Sequence, residues 1–319
     1  MTRKLEEIIS TVSQRALKHW LSVKGLAHSA GNEKELHALL TKLIEEDSLT
    51  LAELVEAVSG IEDYGGKRIY PRLLTDAKTF TSKKQFERHL SSLGLSLLAE
   101  RTTIRLPAKP TLNYITWSDT EIRVKFSETH EHVKFDPETL THNVTKRTKV
   151  ILITFETESL FTKLCLDPPE VRNPHRMAAS SGKVDPYENF YFAKTLEILG
   201  GGALIPIDFP KIIEALVSTR PRLFRLPYDK LISADGLIQR NASQVDVRDH
   251  KIYELGVKED GRDRVYEDLQ GYWLPDQSEK QLRRELFMQL KRKEAMLRFL
   301  ADCLPSEVNY AISRIRQLS

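Results

Sequence analysis

Pro107 and Pro110, in "RLPAKPTL", separate two periodicities that belong to different kinds of element. Proline lacks the backbone N–H and fixes φ, so this stretch suits neither a helix interior nor a central strand. Upstream, Leu5, Ile8, Ile9 and Val12, then Leu17, Trp20, Leu21 and Val23, recur at helical spacing. "EKELHALLTKLIEE", "LTLAELVEAVSG" and "SKKQFERHLSSLG" continue the pattern; Ser48 or Thr50 would cap the second, and Gly60 and Gly94 would close the second and third. A strand is expected only near "SLLAERTTIRL". Downstream the rhythm changes: "EIRVKFS" and "HEHVKFD" alternate polar with apolar residues, and "TKVILITFET" reads as a more deeply buried strand.

"DPPEVRNPHRMAASSGKVDP" has the composition of a long exposed loop. "YENFYFAKTLEILGGG" then predicts a helix ended by glycines, "ALIPIDF" a short strand, and "PKIIEALVSTR" a helix with Pro210 near its first turn. "KIYELGV" and "DRVYEDL" would form a hairpin around "KEDGR". From Ser278 to the residue before Pro305, "SEKQLRRELFMQLKRKEAMLRFLADCL" predicts a long helix, followed by a second over "SEVNYAISRIRQL". At roughly 100° per residue, Leu282, Leu286, Leu290, Leu297 and Leu300 share one face of the long helix. Lys280, Arg284, Lys291 and Arg298 gather opposite, while Lys293 falls among the leucines, where its stem would snorkel. The expected fold class is α+β, with a helical N-terminal domain over 1–106, an α+β domain over 111–275 and basic amphipathic helices over 276–319. No internal repeat is present.

At 40% hydrophobic and 29% charged residues, the chain is a globular protein rather than a disordered one. Cys165 and Cys303 stand far apart with no CxxC pair, which argues against a zinc ribbon and a disulfide scaffold. No segment has the apolar length of a membrane span, and "MTRKLEEIIS" turns acidic before a signal-peptide core could form. The expected location is therefore cytoplasmic, or nuclear in a eukaryotic cell, with no membrane partner. A net charge of +3 does not by itself identify a polyanion partner; the clustering of the cations decides.

Residues 17–40 carry the most specific pattern. Leu17, Lys18 and Leu21 fall in a first helix ended by Gly25-Leu26; Ser29 and Gly31 form a polar loop; Glu35-Leu36 and Leu40 open a second helix. This arrangement resembles the SAP motif, a helix–extended loop–helix module of DNA-associated proteins. The resemblance implies that Lys18, Lys24, Ser29, Gly31, Asn32 and Lys34 face a phosphate backbone. Helix N-terminal amides would meet phosphate oxygens, and the glycine would permit close approach. Glu33 departs from the family, which places a basic residue just after the loop. The match covers residues 17–40 alone, and spaced leucines equally describe a helical hairpin serving as core or as a protein-docking surface.

The C-terminal stripe at Lys280, Arg284, Lys291 and Arg298 would follow a second stretch of phosphates, joined by Arg172, His175, Arg176 and Lys183 of the long loop. A solvated outer face explains the same residues. His130 and His132 share one strand face, with His142 or Asp136 as third ligand of a conceivable metal site, but no HExxH or paired cysteine supports a metal. Asp235 with Asp249 and Lys251 has the residue types of a Mg²⁺-dependent nuclease. "ILGGGALIPID" lacks the Lys-Ser/Thr of a P-loop, so its glycines are read as a helix cap; no acyl-transfer signature appears.

The expectation is thus a non-enzymatic protein without a cofactor that binds nucleic acid, DNA first, mainly through phosphates, as one component of an assembly with other protein subunits. The alternatives are a protein-interaction adaptor without nucleic-acid contact, exposing apolar residues such as Trp20 or Leu26, and the Mg²⁺ nuclease.

Overall fold

The computed structural model describes residues 2–76, 80, 82–97, 110–136, 141–167, 186–218, 223–233, 236–241, 246–249, 266, 268–275, 282–300 and 303–319. The chain is mixed α+β and forms two compact units, Met1–Asp63 with Lys67–Ile205, and Tyr64–Gly66 with Pro206–Ser319. The proline-marked boundary near residue 107 lies outside the described residues.

In the first unit, four helices come first: α1 (Thr2–Ile9), α2 (Gln14–Lys24), α3 (Glu33–Glu45) and α4 (Leu51–Tyr64). Side-chain caps set the starts of α2, α3 and α4. Ser13 Oγ accepts from the Ala16 N–H at 3.1 Å, and Asn32 Oδ1 from the Glu35 N–H at 3.0 Å. At α4, Thr50 Oγ1 accepts from the Glu53 N–H while Glu53 Oε2 accepts from the Thr50 N–H, a reciprocal capping box. Gly25 ends α2 at φ 77°, where the Leu26 N–H reaches back to the Leu21 carbonyl at 2.9 Å. Leu17, Leu21, Leu36, Leu40 and Leu54 are all buried, each contributing about 1.5–3 kcal/mol.

The sheet of this unit comprises β1 (Arg68–Thr75), β2 (Thr111–Trp117), β3 (Glu121–Asp136), β4 (Thr141–Glu156) and β5 (Phe161–Leu166), in the order β2-β3-β4-β5-β1. Between β1 and β2 lies α5 (Lys83–Ser92); after β5 come α6 (Pro186–Ile198) and β6 (Ala203–Pro206), which pairs with β1. β1 sits within the stretch expected to be helical. Its "RIYPRLLT" is short and interrupted by Pro71, and pairing with β5 and β6 makes it a strand. The register sorts the residues by face. Arg123, Lys125, Lys163 and Cys165 lie on the face met by α4; Phe126, Glu128, Lys149, Arg68, Tyr70 and Arg72 lie on the face met by α6.

The second unit contains α7 (Phe209–Ser218), β7 (Phe224–Arg225), β8 (Tyr228–Ser233), β9 (Gly236–Asn241), β10 (Asp268–Trp273), β11 (Leu286–Lys291), β12 (Met296–Phe299) and α8 (Pro305–Leu318). Its sheet runs β12-β11-β10-β7, and β8 pairs with β9 alone. A Cβ on Gly271 would stand 2.4 Å from both the Arg225 carbonyl oxygen and the Phe224 ring, so the β7–β10 approach requires glycine.

Here the expected long basic helix is overturned. Residues 286–299 form an antiparallel hairpin, in which Met288 faces Phe299 and Leu290 faces Leu297. Leucines four apart satisfy both a helical face and strand alternation, and tertiary pairing with β10 selects the strand. The turn closes at Ala295, at φ 47° without a glycine, so the sequence carries no turn marker there. The terminal helix, α8, forms where expected, and Leu282, Leu286, Leu290 and Leu297 are buried while Leu300 is 40% exposed.

Candidate nucleic-acid interface

A helix–loop–helix does form at the SAP-like stretch, with α2 and α3 joined by an irregular segment over residues 25–32. The expected contact residues are placed together but are differently engaged. Lys18 Nζ donates to the Ala30 carbonyl at 2.6 Å and holds the loop from beneath. Lys24 Nζ lies 2.5 Å from Glu53 Oε1 and 5.3 Å from the centre of the Trp20 ring. Ser29, Gly31, Asn32 and Lys34 are exposed. Trp20 and Leu26 are half-buried.

The amides that phosphate binding would require are contested. Asn32 caps α3 through its side chain, the Gly31 N–H donates to Glu35 Oε2 at 2.6 Å, and Asn32 Nδ2 donates to Glu35 Oε1 at 2.7 Å. Glu33 adds a second carboxylate to the first turn. Carboxylates already complement the positive end of the helix dipole, so a phosphate would have to displace or oppose them. Glu53 is held at about 2, chiefly by the hydrogen bond from Lys24 and then by Thr50. Beside the loop, between α1 and α3, a cleft of about 820 Å³ is lined by Glu6, Ile9, Asn32, Glu33, Lys34 and His37. Among the described residues, His37 Nε2 is buried there without a hydrogen-bond partner.

The second basic constellation does not form a helical stripe. Arg284 makes a two-pronged pair with Glu307, Nε to Oε1 at 2.9 Å and Nη2 to Oε2 at 3.1 Å, and Glu307 also accepts from the Leu304 N–H at the start of α8. Lys291 lies 3.7 Å from Asp268 and 3.6 Å from Glu294. Arg298 sits opposite Gln289, which puts it on the same hairpin face as Lys291. Arg172, His175, Arg176, Lys183 and Lys280 lie outside the described residues.

For the nuclease alternative, Asp249 is exposed at the end of a 3-10 turn over Val247–Asp249, while Asp235 and Lys251 lie outside the described residues. His130, His132 and Asp136 are on β3 and His142 is on β4, but their side chains lie outside the described ones. Among the described residues no group of three His, Cys, Asp or Glu is placed to hold a metal, and no helix is long and apolar enough to cross a membrane. Cys165 is fully buried, and burial pushes its thiol up to about 12, which removes it as a nucleophile.

Sequence reasoning missed the buried charges. Lys125 Nζ lies 2.8 Å from Asp63 Oδ1 and donates to Ser59 Oγ, both on α4. Lys67 Nζ lies 2.7 Å from Asp167 and donates to the Val150 carbonyl at 2.9 Å, while Asp167 Oδ2 accepts from the Val150 N–H at 2.7 Å. On the opposite face, Glu188 accepts from Arg68 at 2.8 Å and from the Tyr70 hydroxyl. Burial, then the Glu188 charge, raises the Tyr70 hydroxyl well above its usual value. In the second unit Arg248 binds Asp246 and the carbonyls of Leu216, Val217 and Phe224. Alternation in "EIRVKFSE" signalled which residues share a face, but nothing local marks a strand lysine as buried.

Compared with known protein families and with curated proteins, the chain matches none.

Proposed function

We propose that the chain is a non-enzymatic nucleic-acid-binding component of a larger assembly, with DNA as its first ligand and the helix–loop–helix of residues 14–45 as one contact. The observation that carries this reading is the irregular segment between α2 and α3, where Ser29, Gly31 and Asn32, with Lys34 in the first turn of α3, are exposed. Lys18 and Lys24 support the loop and α4 rather than reaching outward. Contact therefore falls to the Lys34 ammonium and the polar side chains, with Glu33 tempering affinity. Binding of this kind releases counterions and weakens steeply with salt. Titrating labelled DNA with the full chain at increasing salt tests it: affinity that falls with ionic strength supports the reading, and no binding at low salt, or binding indifferent to salt, defeats it. Lys34→Glu should weaken binding severalfold across unrelated sequences.

A second reading, a protein-docking adaptor, is favoured by the cleft between α1 and α3, where Ile9, the His37 ring, Glu6 and Glu33 suit a cationic peptide better than a phosphate. Capture of a protein that survives nuclease treatment and is lost on Glu6→Lys with Glu33→Lys would favour it over DNA.

A further inference from the structure

β3 and β4 are paired over sixteen residue pairs, from Glu121↔Glu156 to Asp136↔Thr141, and this hairpin outruns the sheet that holds it. β2 pairs with β3 only as far as Ser127, and β5 pairs with β4 only from Leu152. Among the described residues, the nine pairs from Glu128↔Lys149 to Asp136↔Thr141 are joined to no third strand. At about 3.3 Å per residue they make a two-stranded ribbon roughly 30 Å long.

Its root is built rather than frayed. Val150 is the position where β4 passes the end of β5, and its N–H and C=O would otherwise be left open. The Asp167 carboxylate accepts from that N–H and the Lys67 ammonium donates to that carbonyl, while Lys67 and Asp167 pair with each other. This three-way closure ends the sheet and satisfies the edge at the point where the ribbon departs. A bare two-stranded ribbon is marginal in water and leaves edges that proteins ordinarily cover. Among the described residues no strand covers these edges.

The register indicates which partner the ribbon suits. On one face the positions run His130↔Arg147, His132↔Thr145 and Lys134↔Asn143. All six residue types can donate hydrogen bonds, and no carboxylate stands among them; Glu128 flanks the row at the root and Asp136 at the tip. The other face runs Glu131↔Lys146, Val133↔Val144 and Phe135↔His142. The B-DNA major groove, about 12 Å wide, admits a two-stranded ribbon and presents acceptors on base edges and phosphates.

We propose that this ribbon is an arm that enters the major groove of duplex DNA with the face bearing His130, His132, Lys134 and Arg147. The proposal rests on the nucleic-acid reading above and names its ligand as duplex. Two variants of the full chain test it. One carries Lys134→Glu with Arg147→Glu. The other replaces residues 131–146 with Asn-Gly, a two-residue turn that joins the facing pair His130 and Arg147 and leaves every pairing with β2 and β5 intact. Thermal melting confirms that both fold, and fluorescence anisotropy with a labelled duplex and the matching single strand gives affinities.

The expected result is a loss of duplex affinity of roughly tenfold or more in both variants, with single-strand affinity little changed. Duplex affinity unchanged by both variants but reduced by Lys34→Glu overturns the arm and leaves the helix–loop–helix reading standing. Equal losses on duplex and single strand overturn the groove assignment. Loss of self-association with DNA affinity intact overturns it in favour of a second copy of the chain on the ribbon edge. No DNA binding by the unmodified chain overturns both readings.

Discussion

Helix α4 carries a carboxylate–lysine pair near each end, and the two pairs work under different physics. In its first turn Glu53 meets Lys24, with side chains 42% and 34% exposed. In its last turn Asp63 meets Lys125 at 1% and 8% exposure, with Arg123 at 3.5 Å completing the group. Water can replace either partner of the outer pair and screens its attraction. The inner pair has surrendered its hydration, so each charge depends on the other. Burial raises the Asp63 carboxyl while Lys125 pulls it down; at Glu53 the Lys24 hydrogen bond prevails and burial hardly matters. Distance in space is nearly the same for both pairs. Access of water separates them.

The largest expected effect follows from the inner pair. Lys125→Met should destabilise the first unit by about 3 kcal/mol, because the buried Asp63 carboxylate loses its 2.8 Å partner and is left with Arg123 at 3.5 Å. Asp63→Leu combined with Lys125→Met should recover most of that loss, since an apolar pair of similar volume needs no hydration. Urea denaturation of the two variants decides it, and a double variant no more stable than the single one would break the contrast between the ends of α4. Arg248 extends the comparison to the second unit. It is 4% exposed and serves Asp246 and three carbonyls at once. Arg248→Met should cost about 3 kcal/mol, and Arg248→Lys should restore little, because an ammonium cannot match the planar fork. A full rescue by lysine would show that charge alone, rather than geometry, holds that site.

Whether a region was legible in the sequence follows a related divide. Ser13, Gly25 and Asn32 are local punctuation, and the helices they bound are readable because each cap acts within a few residues. The hairpin β11–β12 has no such marks. Its helix-forming "LKRKEAML" and leucines four apart obey both periods, and the choice was made by β10, remote in sequence. β1 was hidden for the same reason, its Pro71 arguing locally against a strand that β5 imposes. In the α2–α3 hairpin, the loop residues were legible as a group. Their engagement was not: Glu35 reaching Gly31, and Lys24 reaching Glu53 across the fold, are tertiary facts that spacing does not encode.

Caps fall between the two ends of α4 in expected size. Asn32→Ala removes the acceptor for the Glu35 N–H and releases Glu35 from its amide, which should lower stability by about 1 kcal/mol. The same substitution bears on function. Alone it leaves the Gly31 N–H on Glu35 Oε2, so if phosphate binding is limited by Glu35, Asn32→Ala with Glu35→Ala should raise DNA affinity while lowering the melting temperature. Affinity that falls along with stability would show that the closed loop, rather than its amides, is what DNA meets.

The smallest effect is expected at the outer pair, and there the sign is the informative part. Glu53 sits at about 2 in the folded chain against an ordinary 4.5, so its contribution is fully present above the unfolded value and disappears as pH falls toward the folded one. Lys24→Met removes the first cause of that depression and leaves the Thr50 hydrogen bonds, so the Glu53 carboxyl should move part of the way back rather than all of it. An NMR titration of that carboxyl reads the shift directly, and added salt should reproduce only the part due to long-range attraction, because a direct hydrogen bond is screened little. Should salt alone return Glu53 to the ordinary range, Lys24 acts as a diffuse charge and not as a bonded partner. The two ends of α4 would then differ in kind and not only in exposure to water.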